Sequence, residues 1–331
     1  MILNFISNKI AETASDYISN LIPGDGTTEV SIQLRENYKP DFSILGVREL
    51  NKANNENTFV QFSLFNTEKM NKERYVGNLG IGKRFLSDDN YMLTGFNAFL
   101  DYDHYGNTRA SIGGEIKNAV MGLTSNYYKK VENGSVDEEV LDGYNIELSS
   151  QVPYLHWADI FYNSYKWDGV ARDDIKGSKI GADAILTPHL AIEAAYDDKD
   201  KKGLEDEWYA KILFVHPPRE GATAQDGVSS DIWKKEKDMS GEMLSKVKRL
   251  EILKKNNIDD ADLDSIIANF RPPIFWKDKE LVKSQMKIWS LNNIRKLMYL
   301  LNEKELLIKK QSQNAINILY DFILSQAKTN N

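Results

Sequence analysis

Cysteine is absent from the chain of 331 residues, so no disulfide, thiolate nucleophile or cysteine-bound metal can form. Long apolar runs are also missing. None approaches the roughly 18 residues of a membrane-spanning helix, which excludes a helical membrane protein. The four histidines lack the spacing of a zinc site, and no Gly-x-Ser-x-Gly motif marks a hydrolase nucleophile. The sequence therefore predicts a protein that is not an enzyme and has no metal site, no cofactor and no small-molecule substrate.

The main pattern is an alternation of apolar and polar residues that begins at Thr27 and continues for about 190 residues. Successive side chains of a β-strand point to opposite faces, so a period of two indicates strands. Most segments are near ten residues long, the length of a tilted strand that crosses a bilayer, and their even number fits a closed antiparallel transmembrane β-barrel. Twelve strands are predicted, at residues 27–35, 41–50, 57–67, 74–85, 91–104, 108–117, 119–130, 141–152, 157–167, 176–186, 189–198 and 206–216.

Alternation alone fits two architectures, a membrane barrel and a soluble β-sandwich that acts as a binding protein. Polar residues in the middle of strands would line a wet lumen in the barrel and would face bulk water in the sandwich. A charge on the lipid face of a barrel costs about 2–4 kcal/mol at the midplane, and few charges fall on the apolar face of these segments. The barrel interpretation predicts ten pore-lining residues: Gln33, Gln61, Asn78, Arg84, Asn97, Glu115, Glu147, Asp183, Glu193 and Lys211.

Aromatic residues near the strand ends favour the barrel, because tyrosine and tryptophan collect at both interfaces of a membrane. Strand length and the even strand number point the same way. The predicted members of this aromatic girdle are Tyr91, Tyr102, Tyr105, Tyr127, Tyr128, Tyr154, Trp157, Tyr165, Trp167, Trp208 and Tyr209.

Two phrases, NLGIGKRFLSDDNYMLTGFNAFLDYD at residues 78–103 and TRASIGGEI at 108–116, resemble the translocator barrel of the intimin/invasin family, the inverse autotransporters. The resemblance covers about residues 4–249. It implies a bacterial outer-membrane translocator and anchor that exports the downstream segment of an adhesin through a polar pore. It also implies that a linker within residues 222–249 threads back through that pore. The implied partners are outer-membrane lipid, the barrel-assembly machinery, periplasmic chaperones and a host receptor bound by a passenger missing from this sequence.

Two motifs inside the strand region have plainer explanations than catalysis. The stretch from Gly77 to Arg84 nearly matches a phosphate-binding loop, but Arg84 replaces the hydroxyl residue and the stretch lies inside a strand pattern. Small residues packed in a barrel wall are the preferred interpretation. Asp101 and Asp103 share a strand face and could be paired catalytic carboxylates or a calcium site. Charges at a strand end beside a loop are preferred.

The ends of the chain differ from its middle. Residues 1–26 predict an N-terminal helix over 1–22 followed by breakers, without the features of a secretory signal. Residues 1–216 carry 22 basic and 33 acidic side chains, whereas residues 217–331 carry 20 and 16, which indicates two unlike modules. The sequence predicts a linker over 217–256, partly pore-threading and partly helical, and an all-α segment over 257–331. The predicted helices lie at residues 240–255, 260–270, 278–287, 290–309 and 312–328.

The C-terminal segment resembles another protein altogether. The residues NFRPPIFWKDK at 269–279 and QMKIWSL at 285–291 resemble the C-terminal collar domain of the DNA polymerase III delta subunit, over about 257–328. That resemblance implies clamp-loader subunits as partners and a cytoplasmic location. A cluster of basic residues around Trp276 and Trp289 is expected to be a solvated helix face rather than a nucleic-acid site. Because an exported barrel and a replication collar occupy different compartments, a hybrid or misjoined reading frame is the preferred hypothesis.

Overall fold

The computed structural model describes residues 9, 12–13, 15–16, 23–36, 38–69, 72–134, 138–169, 174–200, 206–234, 238–251, 255–257, 275, 278–279, 281–282, 284, 291–310 and 312–329. The chain divides into two compact units. The first holds Met1–Glu132 and Val140–Asn256, and the second holds Asn133–Glu139 and Asn257–Asn331.

Within the described residues, twelve antiparallel strands close into one barrel, which confirms the predicted fold class. Closure comes from the first and last strands, which pair from Thr28 with His216 to Arg35 with Tyr209. The other barrel strands pair in the order in which they follow one another along the chain, because short connections favour antiparallel hairpins. The strands are β1 (Gly26–Arg35), β2 (Asp41–Ala53), β3 (Glu56–Lys69), β4 (Lys72–Leu86), β5 (Met92–Asp103), β6 (Thr108–Asn118), β7 (Met121–Glu132), β9 (Asp142–Val152), β10 (Leu155–Asp168), β11 (Ile175–Thr187), β12 (Leu190–Lys199) and β13 (Glu207–His216). Two further short strands, β8 (Glu138–Val140) and β14 (Lys255–Asn257), form a separate two-stranded sheet.

The barrel wall is apolar outside and polar inside, as the period of two predicts. In β6, Ile112 is 63% exposed, while its neighbour Ser111 is 5% exposed. In β5, Phe96 is 62% exposed and Asn97 is 7% exposed. Large apolar side chains therefore face outward around the wall. Such a surface is costly in water and favourable in hydrocarbon.

Glycines on the inner face make room for aromatic rings that pack closely against the wall. A Cβ atom on Gly80 would lie 2.3 Å from Cδ1 of Phe99, and one on Gly82 would lie 2.4 Å from Cζ of Phe59. Both glycines lie within β4, inside the stretch that resembles a phosphate-binding loop. The preferred interpretation of that stretch, small residues packed in a barrel wall, is confirmed.

The predicted aromatic girdle is only partly correct. Tyr91, Tyr102, Tyr105, Tyr127, Tyr154 and Trp208 are between 40% and 52% exposed. Tyr128, Tyr165 and Trp167 were assigned to the girdle wrongly, since each is at most 4% exposed and all three belong to one core cluster. Tyr209 also points inward and donates a hydrogen bond to Glu193. Adjacent residues on a strand must face opposite sides, so Tyr127 and Tyr128 cannot both lie at the interface.

The second unit contains helices α1 (Leu291–Lys310) and α2 (Ala315–Thr329), with a 3-10 turn at Ser312–Asn314 between them. These confirm the helices predicted at 290–309 and 312–328. Residues 279, 281, 282 and 284 are helical, while the rest of the helix predicted at 278–287 and all of that at 260–270 lie outside the described residues. Most of the predicted N-terminal helix also lies outside them. Among the described helices, none is both long enough and apolar enough to cross a membrane.

The helix predicted at 240–255 is wrong. Met239–Glu242 form a short 3-10 helix, residues 246–251 have no regular secondary structure, and residues 255–257 are a strand. The apolar spacing in this stretch resembles a helix, but the backbone groups of the stretch are bound by side chains of the barrel wall.

Candidate functional site

All ten predicted pore-lining residues lie on barrel strands, on the face opposite the outward apolar side chains. Each strand from β3 to β6 supplies at least one predicted pore-lining residue whose side chain is at most 7% exposed. These buried residues are Gln61, Asn78, Arg84, Asn97 and Glu115. The other five are half-buried: Gln33, Glu147, Asp183, Glu193 and Lys211. Several of the ten contact a segment of the same chain, residues 239–251, which is called the threaded segment below.

The chain reaches the barrel interior from the end where β13 finishes. The backbone of Tyr154, in the turn between β9 and β10, accepts a hydrogen bond from Ser229 and donates one to Ile232. The indole of Trp157 donates to the carbonyl of Gly227 at 2.8 Å. The N–H of Met239 then donates to the carbonyl of Asn90, in the turn between β4 and β5. Residues 227–232 and Met239 thus lie at one mouth of the barrel, bound to its short turns.

A 3-10 turn at this mouth begins the threaded segment. Asp238 caps it by accepting a hydrogen bond from the backbone N–H of Ser240 at 2.8 Å. That backbone bond, with a further bond from the Ser240 hydroxyl, lowers the pKa of the Asp238 carboxyl. Asp238 therefore stays ionised while it caps the turn.

Arg84 connects the wall to the first part of the threaded segment. Its Nε lies 2.6 Å from Oε1 of Glu115, and both side chains are almost completely buried. Its Nη1 donates to three carbonyl oxygens, those of Glu242 at 3.3 Å, Met243 at 3.0 Å and Ser245 at 2.6 Å. Lys117 donates to the Ser245 hydroxyl at 2.8 Å. One buried guanidinium thus binds the backbone of an entire turn.

Further along, wall side chains bind the backbone of residues 247–250. The N–H of Val247 donates to Oε1 of Gln61 at 2.8 Å, and Asn126 donates to the carbonyl of Lys248 at 3.1 Å. Leu250 is bound on both sides: its N–H donates to the Tyr128 hydroxyl at 2.8 Å, and its carbonyl accepts from Arg109 at 2.6 Å. These bonds replace a helix or sheet ladder, which explains how this segment stays buried without regular structure.

The side chains of residues 246–249 alternate between two sides of the lumen. Lys246 lies 2.9 Å from Glu29, and Lys248 lies 3.2 Å from Glu147 and 3.5 Å from Asp183. Val247 packs in an apolar cluster with Leu45, Val47, Phe59 and Phe99. Arg249 bonds Asp101 at 2.6 Å, and its guanidinium lies 4.3 Å from the centre of the Phe99 ring. A period of two is the pattern of an extended peptide.

Lys246 and Lys248 lie in the barrel interior, where an ammonium group is stable only beside groups that compensate its charge. Glu29 faces Lys246, and Glu147 and Asp183 face Lys248. Each lysine is therefore matched by at least one carboxylate of the wall.

The ten predicted residues omit several side chains that bind the threaded segment: Glu29, Asp101, Arg109, Lys117, Asn126 and Tyr128. Asp101 was expected to be a charge at a strand end beside a loop, but it is fully buried between Arg109 and Arg249. Asp101 follows Asn97 by four residues in the same strand, and an even spacing places both side chains on one face. This spacing is the signal that would have placed Asp101 inside the barrel. Asp103 does end β5. It is also fully buried, where it pairs with Arg74 and accepts from the N–H groups of the following turn.

The arrangement suits binding rather than catalysis, because its charged groups neutralise one another across the lumen. Within the residues that the structure describes, no group of three or more histidines and carboxylates is placed to hold a metal ion. Its chemistry is the noncovalent capture of an extended, cationic peptide inside a barrel.

One family model and several solved structures match this chain. A model of the family described as "Inverse autotransporter, beta-domain" matches residues 1–251. No curated protein matches the chain. A solved structure from work on the in meso crystallization of membrane proteins is 19% identical, with a TM-score of 0.57, and the match covers 69% of this chain and 97% of that one. The KdgM porin is 8% identical, with a TM-score of 0.39 and coverage of 57% and 98%. The outer membrane protein Omp33 of Acinetobacter baumannii is 8% identical, with a TM-score of 0.37 and coverage of 57% and 97%.

The family match ends at residue 251, so the likeness of the C-terminal segment to the polymerase delta subunit stays a prediction. The first solved structure shares the fold of the barrel. The family is one of membrane translocator barrels and not of enzymes. Because the match spans all the barrel strands and the threaded segment inside them, the chain belongs to the inverse autotransporter β-domain family, the translocator barrels of the bacterial outer membrane.

Proposed function

We propose that this chain is a translocator and anchor of the intimin/invasin type, which passes its own downstream segment through the barrel and then holds it there. One observation carries the proposal: the threaded segment contacts the wall in order from one mouth toward the other. Met239 binds the turn at Asn90, Ser245 binds Arg84, and Leu250 binds Arg109 near the opposite end of its strand. The chain thus enters at the mouth where the barrel begins and ends, and runs toward the other.

Loop lengths support an orientation for this path. The turns at the entry mouth are short: residues 54–55, 87–91, 119–120, 153–154 and 188–189. The longest connections between barrel strands are at the other mouth, such as residues 133–141, 169–174 and 200–206. Outer-membrane barrels have short periplasmic turns and longer extracellular loops. The entry mouth is therefore periplasmic in this proposal, and the residues after 251 emerge at the cell surface.

The proposed work of the barrel is mechanical. The lumen presents carboxylates to the three cationic side chains Lys246, Lys248 and Arg249 of the threaded segment, and wall side chains bind its backbone. Such a segment resists withdrawal, because pulling it out would leave buried charges without partners. Assembly would require the barrel-assembly machinery and periplasmic chaperones. In an adhesin, a receptor-binding passenger would follow the exported segment.

A surface-exposure experiment tests this function. The full chain carries an N-terminal secretion signal and a C-terminal epitope tag, and heat-modifiable migration of outer-membrane fractions reports the folded barrel. We expect intact cells to bind antibody to the tag and to lose the tag on treatment with external protease. A folded barrel in the outer membrane whose tag is reached only after lysis would overturn the proposal.

The polymerase-like segment offers a second function, supported by its quoted motifs and by the presence of α1 and α2 in the predicted places. In that case, the chain would be a clamp-loader interaction module on a hybrid reading frame. Co-purification of the cytoplasmic full chain with clamp-loader subunits would favour it. Recovery of the barrel in outer membranes without those subunits would count against it.

A further inference from the structure

The lumen has two chemically different sides at the depth of residues 246–249. One side, formed by β9, β11, β12, β13 and β1, carries four carboxylates and one lysine: Glu147, Asp183, Glu193, Glu29 and Lys211, which lies 4.0 Å from Glu29. The other side, formed by β2, β3 and β5, carries the apolar cluster of Leu45, Val47, Phe59 and Phe99. An extended peptide between them must therefore place cations and apolar groups at alternating positions.

The threaded segment has that alternation. Lys246 and Lys248 point to the acidic side, while Val247 points to the apolar side. A shift of the segment by one residue would move both lysines onto the apolar cluster and Val247 onto the carboxylates. Burying ammonium groups without partners is strongly unfavourable, so one-residue shifts are excluded by the wall.

A shift by two residues keeps one lysine on the acidic side, with Leu250 or Leu244 in the place of the other, so it is opposed less strongly and a further barrier is needed. Asp101 provides it, because its carboxylate binds both Arg109 and Arg249, and all three side chains are fully buried. Movement of two residues toward the entry mouth would bring Glu251 against Asp101, so that like charges meet. Movement of two residues toward the opposite mouth would bring Val247 against Asp101. Of its two arginine partners, Asp101 would then keep only Arg109. Arg249 therefore distinguishes the observed register from the two registers that are shifted by two residues in either direction.

We infer that the lumen is a sequence-specific binding site for the peptide Lys246–Leu250, and that Arg249 fixes the register at which export stops. The aromatic surroundings strengthen the contact, since the Arg249 guanidinium lies over Phe99 and the Arg109 guanidinium lies 4.3 Å from the centre of the Tyr128 ring. The inference rests on the proposed function, because it concerns where the exported chain comes to rest.

Cross-linking in the full chain tests the register, and the absence of cysteine gives a clean background. The in-register pair is Gln61→Cys with Val247→Cys, whose parent residues share a hydrogen bond. The offset pair is Gln61→Cys with Ser245→Cys, which comes into register only when the chain moves outward by two residues, about 6.6 Å. Both pairs are treated in outer membranes with a short bifunctional thiol reagent, with Arg249 intact or with Arg249→Met.

With Arg249 intact, we expect the in-register pair to cross-link at least tenfold more than the offset pair. With Arg249→Met, we expect the offset pair to rise to a similar yield. Arg249→Lys, which keeps the charge, should restore most of the preference. Lys166→Met, at a partly exposed lysine that pairs with Asp168 and Asp174, should leave it unchanged. An unchanged preference in Arg249→Met would overturn the inference while leaving export intact. Absence of the in-register product from a folded barrel with Arg249 intact would instead count against the threaded segment and so against both proposals.

Discussion

Nε of Arg84 lies 2.6 Å from Oε1 of Glu115, and this bond aims the other end of the guanidinium at the carbonyls of Glu242, Met243 and Ser245. Glu115 of the wall thus holds the Arg84 guanidinium in the orientation that binds the threaded segment. Both partners are buried, so the pair has little freedom to adopt another geometry. A pre-oriented donor of this kind loses less entropy on binding than a mobile one.

Arg84→Met should destabilise the folded barrel by about 3–5 kcal/mol, because it leaves the Glu115 carboxylate buried beside Lys117 alone and frees three carbonyls. Lys83→Met is the matched control. Lys83 is the preceding residue and faces outward. Its ion pair with Glu56 is nearly half exposed, so the loss of this pair should cost no more than about 1 kcal/mol. Urea titration of the barrel in detergent, followed by heat-modifiable migration, compares the two. Equal losses would show that Arg84 does not bind the segment as described.

Gly80→Ala should destabilise the barrel by about 1–3 kcal/mol, since the new Cβ would overlap the Phe99 ring that supports Arg249. Gly114→Ala serves as the control, because its Cβ would meet its nearest neighbour, the carbonyl oxygen of Gly95, at 3.7 Å, an ordinary contact. The same unfolding assay measures both variants. If Gly80→Ala is as stable as Gly114→Ala, the close approach of ring and wall is not a feature of the folded protein.

Ile112→Lys should cost about 2–4 kcal/mol in a bilayer, because Ile112 lies near the middle of β6 with its side chain on the outer face. Tyr102→Lys, on the same face but next to the end of β5, should cost about 0–1 kcal/mol. Equilibrium unfolding from lipid vesicles measures this dependence on depth. Similar costs at the two positions would contradict a membrane around the wall.

Glu36→Cys should react with an impermeant maleimide on intact cells, because it lies in the connection between β1 and β2, at the mouth proposed to be extracellular. Asp88→Cys, in the turn between β4 and β5, should react only after the outer membrane is opened. The natural chain has no cysteine to confuse the labelling. The opposite result would reverse the proposed orientation and with it the direction of export.

The sequence predicted the barrel well because strand periodicity is a local property. Every predicted strand matched an observed one, and residues such as Arg84 and Glu115 were assigned to the buried face from parity alone. The same alternation of side chains between the two faces of a strand places Asp101 and Tyr128 inside the barrel. They were misassigned because position near a strand end was given more weight than face.

The path of residues 239–251 could not be predicted from local pattern. The stretch has the apolar spacing of a helix, but in the barrel its backbone groups bind Gln61, Asn126, Tyr128 and Arg109, which are up to 186 residues away along the sequence. Those partners come together only when the barrel closes. Only the family resemblance, which implied a linker inside the pore, pointed to this part of the site.

The most direct test of the central claim is the ionic conductance of the purified full chain in a planar bilayer. If the threaded segment fills the lumen, the unmodified protein should conduct little, and the triple variant Lys246→Glu, Lys248→Glu, Arg249→Glu should conduct several-fold more, since repulsion from Glu29, Glu147 and Asp101 would expel the segment. Equal, porin-like conductance of the two proteins would contradict the account.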